Sequence, residues 1–210
     1  MHALLEDLNW RYATKKYDTS KKIAQEHLDI LLEAIRLSPS SYGLQPLKII
    51  LVESKELREK LKPCSWNQSQ ITDASHLMVL CSYKEMSNEL IDSNAENTEI
   101  TRSLEKGQLQ GFANFVKVKV KEKSLTEQAE WNARQAYIAL GILMQSCAQL
   151  RIDATPMEGF EADKYNEILG LNDKNLNATL VCAIGYRSEE DSNQHLKKVR
   201  KPMNDFLEVV

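Results

Sequence analysis

Between Ala136 and Ala148 almost every position is apolar, and a helix that is greasy on nearly all sides has to be buried on nearly all sides. That run is the far end of a longer predicted helix. Ser124 and Glu127 have capping-box spacing, so the helix begins at Ser124 and continues to about Leu150, with an amphipathic first half. A chain of 210 residues is long enough for one well-covered core and short for two. In so small a domain, such a helix is either shared between a sheet and a second subunit or the spine of a large monomeric core.

The rest of the chain supplies what that helix packs against. Glu26 to Leu37 reads as an amphipathic helix with Leu28, Leu31, Leu32, Ile35 and Leu37 in one stripe, stopped by Pro39. Leu47 to Val52 reads as a short buried strand, and Ser54 caps a helix from Lys55 to Leu61. His76 to Tyr83 and Ala178 to Tyr186 are two further strands. Met86 to Glu105 is polar and helical. Gln108 to Lys123 holds Phe112, Phe115 and a Val-Lys alternation, which fits an edge strand or part of a helical excursion acting as a lid over 84–123. No repeat or linker divides the chain, so 1–210 reads as a single domain.

Several function classes are excluded at this level. The formal charge of −3 gives no general attraction for nucleic acid. Cys64, Cys81, Cys147 and Cys182 are widely spaced, with the last three in apolar runs, and read as reduced thiols and not as a disulfide framework or zinc site. His2, His27, His76 and His195 have no metal-ligand spacing. There is no G-x-S-x-G elbow, Walker loop or G-x-G-x-x-G loop. No apolar stretch spans a bilayer, and Met1 to Tyr12 lacks a signal-peptide apolar region, which points to the cytoplasm.

What remains is a set of cations at both ends of the chain. Arg11-Tyr12-Ala13-Thr14-Lys15 stands near the start and Lys198-Val199-Arg200-Lys201 near the finish. Guanidinium and ammonium groups suit a phosphate, the first by bidentate geometry and the second as a point charge. Between them, Ser38 to Pro46 and Thr155 to Phe160 read as irregular backbone able to offer N–H groups to a flat polar ligand. Taken singly, these pieces also read as a solvated basic patch at Lys197–Lys201, a helix stop at Ser38-Pro39 and a helix-to-strand turn at Pro156–Gly159.

In order, Arg11-x-x-x-Lys15, Ser38-Pro39-Ser40-Ser41 with Gln45-Pro46, Asp73-Ala74-Ser75-His76, Glu130-Trp131, Pro156-Met157-Glu158-Gly159-Phe160 and Lys198-x-Arg200 resemble the nitroreductase family. The nearest branch is that of oxygen-insensitive NAD(P)H nitroreductases, dihydropteridine reductases and flavin reductases. The resemblance runs from about Leu5 to Pro202 and weakens between Met86 and Lys123. It implies an α+β fold with a central antiparallel or mixed sheet flanked by helices. It further implies an intertwined homodimer with two FMN molecules at the subunit interface. The implied activity is a ping-pong cycle in which NAD(P)H delivers hydride to flavin N5 and a nitroaromatic, quinone or free flavin is then reduced. A flavin-storage protein of the same fold, and a cofactor-free dimeric module, are the alternatives.

The resemblance also assigns residues. Arg11, Lys198 and Arg200 correspond to the cations on the FMN phosphate, and Lys15 to the lysine beside N1 and O2 of the pyrimidine. Asn67 corresponds to an amide on the pyrimidine edge, although from sequence alone it is equally a turn or capping residue. Pro156, Met157, Glu158 and Gly159 correspond to the loop whose backbone N–H groups meet N5 and O4, with Gly159 leaving room for close approach. Pro39, Ser40, Ser41 and Gly43 correspond to the segment covering the flavin from the partner subunit. Three positions depart from the pattern: Tyr12 for a histidine, Ala13 for a serine, and Gln70 for a second lysine near the pyrimidine. Phe112 or Phe115 would line the substrate channel. No acid–base dyad is required, because the flavin carries the chemistry.

Overall fold

The sheet is built from two central strands that are buried on both faces, and their alternation divides the core in two. The computed structural model describes residues 2–210. In chain order the main elements are α1 (Ala3–Trp10), α2 (Gln25–Arg36), β1 (Leu47–Val52), α3 (Lys55–Leu61), α4 (Gln70–Asp73), β2 (His76–Tyr83), α5 (Asn88–Thr101) and α6 (Gln110–Lys121). They are followed by α7 (Leu125–Gln149), β3 (Asp153–Met157), α8 (Ala162–Ile168), β4 (Leu176–Gly185) and α9 (Met203–Phe206). The four strands are all antiparallel, in the order β1-β2-β4-β3. Successive strand residues point to opposite faces. Met78, Leu80, Leu180, Cys182 and Ile184 therefore meet α2 and the Ala136–Cys147 stretch of α7. Leu77, Val79, Cys81, Val181 and Ala183 meet Leu61 of α3 and Tyr165 of α8 on the other side. The fold is α+β, with helices on both faces of an antiparallel sheet.

Local signals set most boundaries. The Ser54 hydroxyl accepts the Leu57 N–H at 3.2 Å and starts α3. At α7 the Ser124 hydroxyl accepts the Glu127 N–H, and Glu127 accepts the Ser124 N–H at 2.7 Å, so the capping box is complete. The 84–123 region is a helical hairpin of α5 and α6. The Val-Lys alternation in 116–121 fits a strand period, yet Ala113, Val116 and Val120 lie on one helical face against Leu44, Met86 and Ile91. Burial at spacings of three and four residues decides the outcome. Lys117 reaches Asp92 across the hairpin at 2.5 Å.

One expectation is corrected. Residues 155–157 are not irregular: β3 pairs with β4 from Asp153 opposite Gly185 to Met157 opposite Val181. Pro156 is tolerated there because β3 is an edge strand, where a missing N–H need not break a ladder. The apolar end of α7 is not covered on all sides within one chain. Tyr137, Ile138 and Ile142 remain 45%, 42% and 37% exposed.

Gly185 is held at a close backbone approach. A Cβ there would lie 2.9 Å from the Ser75 backbone N and 2.9 Å from Tyr17 Cδ1. Ser75 cannot retreat easily, because Arg58 donates to the Ala74 carbonyl at 2.7 Å and to the Ser75 carbonyl at 3.2 Å. Gly185→Ala is expected to cost about 1–3 kcal/mol by overpacking, lowering the thermal midpoint by roughly 2–12 °C. An unchanged melting curve would show that the strand relaxes around the methyl group.

Candidate functional site

The chain leaves α1 in extended conformation at Arg11 (φ −72°, ψ 141°) and runs antiparallel to the segment after β4. Its alternate residues are pinned inward. The Tyr12 hydroxyl donates to Asp191 Oδ2 at 2.9 Å, and the Thr14 hydroxyl donates to Asp153 at 3.2 Å. Asp153 also accepts from Arg187, whose guanidinium lies 4.2 Å over the Trp10 ring and 4.6 Å over the Tyr12 ring. These bonds fix the backbone on either side of Ala13.

There the two ends of the chain meet. Arg11, Tyr12, Ala13, Lys198 and Arg200 line one cavity of about 380 Å³, together with Trp10, Asn193 and Gln194. Lys198 Nζ donates to the Leu8 carbonyl at 2.6 Å and to the Arg11 carbonyl, which locks the C-terminal segment onto α1. Among the described residues no carboxylate pairs with Arg11, Lys15, Lys198 or Arg200. Arg11 Nε is buried without a hydrogen-bond partner. Burial lowers the Arg11 pKa, and the Arg200 charge lowers it further. Burial likewise depresses Lys198, followed by the charges of Arg11 and Arg200. Desolvated like charges with an orphaned donor are relieved by an anion, and the fork of Arg11 beside the Lys198 ammonium suits a phosphate monoester. Cys182, wholly buried nearby, is pushed up to about 12 by its burial and stays a thiol.

A second group forms around the end of β3. Trp66 and Asn67 are consecutive left-handed residues (φ 53° and 55°), and the Asn67 N–H closes the turn onto the Lys62 carbonyl at 3.1 Å. The exposed Trp66 indole lies against Gly159, where a Cβ would stand 2.5 Å from Trp66 Cζ3. A side chain at this position would have to displace the exposed Trp66 indole, a contact that the sequence reading, which reserved the space for a flavin, did not contain. Gln68 Nε2 donates to the Gly159 carbonyl at 3.1 Å. Gln70 is buried at the start of α4. The Tyr137 hydroxyl of α7 donates to Glu158 Oε1 at 2.9 Å. Among the described residues the Glu158 and Gly159 N–H groups donate to nothing, so both remain available to a ligand.

The third group is Pro39 to Gly43, which does not line the terminal cavity of the same chain. Ser41–Gly43 is one 3₁₀ turn, and the Ser41 N–H donates to Gln135 of α7 at 2.9 Å. Tyr42 is left-handed (φ 53°), which throws its ring outward. It meets Phe112, Phe115 and Trp131 edge-on, with centroids 6.4, 6.4 and 6.1 Å away. Both phenylalanines thus belong to one exposed aromatic cluster.

Sequence reasoning missed Asp191, Asp153, Arg187 and Trp10, which hold the cationic segment, and Trp66, Tyr137 and Tyr42. Trp66 beside Asn67 and Tyr42 inside a Ser-Tyr-Gly turn were visible as exposed aromatics at turns. Nothing in the sequence connects Asp191 with Tyr12.

An antiparallel α+β domain presenting unpaired cations from both termini defines an anion-accepting, cofactor-binding class of protein. The family model of the nitroreductase family matches residues 8–186. The chain belongs to that family. The major NAD(P)H-flavin oxidoreductase of Aliivibrio fischeri is 35% identical, with 100% of this chain and 99% of the relative covered. A Staphylococcus haemolyticus protein provisionally named an NAD(P)H nitroreductase is 34% identical over 98% of this chain and 96% of its own length. Among solved structures, an FMN complex from Exiguobacterium sibiricum superimposes with a TM-score of 0.84 at 21% identity, covering 100% of this chain and 98% of that one. No described helix is long and apolar enough to cross a membrane.

Proposed function

We propose that this protein is an FMN-dependent oxidoreductase that uses NAD(P)H to reduce nitroaromatics, quinones or flavins, acting as a homodimer with FMN at the subunit interface. The observation that carries the reading is the terminal cation cluster, in which Arg11 keeps a buried, unpartnered Nε and, among the described residues, no carboxylate neutralises Arg11, Lys198 or Arg200. Those residues fit the FMN phosphate. The names of the Aliivibrio fischeri relative and the FMN complex of the Exiguobacterium sibiricum protein support the same cofactor.

When bound, FMN supplies the redox chemistry, taking hydride from NAD(P)H and passing two electrons to the acceptor. The protein's residues bind and orient it. Arg11, Lys198 and Arg200 hold the phosphate. Lys15, exposed and without an ion pair, holds the pyrimidine end, where a positive charge favours the reduced anionic ring. Among the described residues the Asn67 side-chain amide has no hydrogen-bond partner and is left for the same edge, and Gln70 stands buried at the start of α4. Pro156 and Met157 end β3 so that the unengaged N–H groups of Glu158 and Gly159 face the ring, while Tyr137 fixes the Glu158 side chain. Pro39, Ser40, Ser41 and Gly43 cover the flavin of the other subunit, with Tyr42, Phe112 and Phe115 at the acceptor's entrance.

The homodimer is supported by apolar surface that one chain leaves uncovered. Beyond the α7 stripe, Leu196, Val199, Met203 and Phe206 of the C-terminal segment are 71%, 82%, 67% and 76% exposed. Apolar area on this scale is usual for an interface and unusual for a monomer. Steady-state rates of the FMN-loaded protein, with NADPH and menadione both varied, are expected to give parallel double-reciprocal lines. Nicotinamide consumption that responds neither to menadione nor to a nitroaromatic would refute the enzymatic reading and favour flavin storage.

A further inference from the structure

Asp191 is a buried carboxylate, 2% exposed, to which no ligand-binding role has so far been attached. Its two oxygens are fully used by the protein. Oδ2 accepts the Lys15 N–H at 2.7 Å, the Lys16 N–H at 3.1 Å and the Tyr12 hydroxyl at 2.9 Å. Oδ1 accepts the Asn193 N–H at 3.0 Å, which starts the 3₁₀ turn leading to Lys198 and Arg200. Among the described residues no cation pairs with it. Burial pushes its pKa up, but the amides of Lys15 and Lys16 and the Tyr12 hydroxyl outweigh burial and hold it below its ordinary value.

We infer that Asp191 is the positioning residue of the cofactor site, clamping the N-terminal ligand-facing segment to the C-terminal one so that Lys15 and Arg11 stand where FMN needs them. This inference rests on the FMN reading above. The physical case is that Asp191 grips the backbone of Lys15 itself. The Lys15 side chain is exposed and makes no ion pair, so the N–H···Oδ2 bond fixes the root of the side chain without limiting its charge. Four donors converge on one carboxylate at sequence separations of 2, 175, 176 and 179 residues. An interaction of that kind closes a site made from both ends of a chain. The neutral Asp191→Asn side chain has one acceptor oxygen and an amide that faces the same N–H groups as a second donor. It therefore breaks the clamp while nearly preserving volume.

The test compares wild type, Asp191→Asn and Tyr12→Phe, measuring FMN dissociation constants and the midpoint potential of bound FMN. Asp191→Asn is expected to raise the dissociation constant at least about tenfold and to lower the preference for reduced flavin about tenfold, which is ~30 mV for a two-electron couple. A purely structural role would lower stability and leave the potential of the bound flavin unchanged. Tyr12→Phe removes one of three donors to Oδ2 and should move both quantities the same way, by roughly two- to threefold. It decides the question if Asp191→Asn does not fold. In a Lys15→Met background, Asp191→Asn should shift the potential no further, because the effect is routed through Lys15. Wild-type potential and affinity in Tyr12→Phe, and in Asp191→Asn if it folds, would overturn the inference, whereas wild type that takes up no FMN would overturn the functional reading instead.

Discussion

Arg11→Ala is expected to raise the dissociation constant for FMN on the order of 10- to 100-fold without lowering the thermal stability of the apoprotein. A hydrogen bond to a charged group contributes about 1.5–3 kcal/mol, and a bidentate guanidinium–phosphate contact lies at the upper end. The stability half of the prediction has the opposite sign to that of most truncations. In the free protein Arg11 is a desolvated cation with an orphaned Nε and a like charge beside it, so its removal relieves a cost. The backbone carbonyl of Arg11 that receives Lys198 survives the substitution, so the two termini stay joined. Arg200→Ala should act in the same direction but less strongly, since Arg200 is exposed and its Nη1 already donates to the Val199 carbonyl at 2.6 Å. Isothermal titration of FMN into the apoproteins, beside their melting curves, reads both halves. Unchanged FMN affinity in both variants would remove the terminal cations from the site.

The second large effect is expected at Gly141, on the uncovered stripe of α7 between Ile138 and Ile142. Within one chain a Cβ at Gly141 meets nothing within 4 Å, and helix propensity alone makes Gly→Leu favourable by up to about 1 kcal/mol. A monomer would therefore tolerate or gain from Gly141→Leu. A dimer seated on this face would not, because a bulky side chain enters where the two backbones approach. The expected result is half the wild-type mass in solution and FMN retention weaker by roughly a hundredfold, about 2.7 kcal/mol, because half of each cofactor site is lost with the partner. Light scattering beside the visible spectrum checks it. A variant with wild-type mass and colour would place the interface elsewhere.

How far the sequence disclosed this molecule follows from the range of the forces involved. Elements set by local signals were legible: Ser54 and Ser124 as caps, Pro39 after α2, and the apolar runs of β1 and β2. β3 was not, because Pro156 and Gly159 read as punctuation, and only pairing with β4 reveals an edge strand that tolerates proline. Helix α6 was ambiguous because its lysines alternate with valines, and contacts with Met86 and Ile91 decide its period. The cationic termini could be matched to a phosphate from residue types alone. The support beneath them could not, since Asp191 is 176 residues from Lys15 and Asp153 is 139 from Thr14. A close neighbour of Gly159 was hidden for the same reason: it is an indole brought there by a left-handed turn far away in sequence.

The most direct test of the whole account is an anaerobic titration of the FMN-reconstituted protein with NADPH and, separately, NADH, followed in the visible absorption of the flavin. The account predicts one FMN taken up per chain, bleached by a nicotinamide and restored by a quinone. Protein that stays colourless in excess FMN, or holds FMN that neither nicotinamide bleaches, would contradict it.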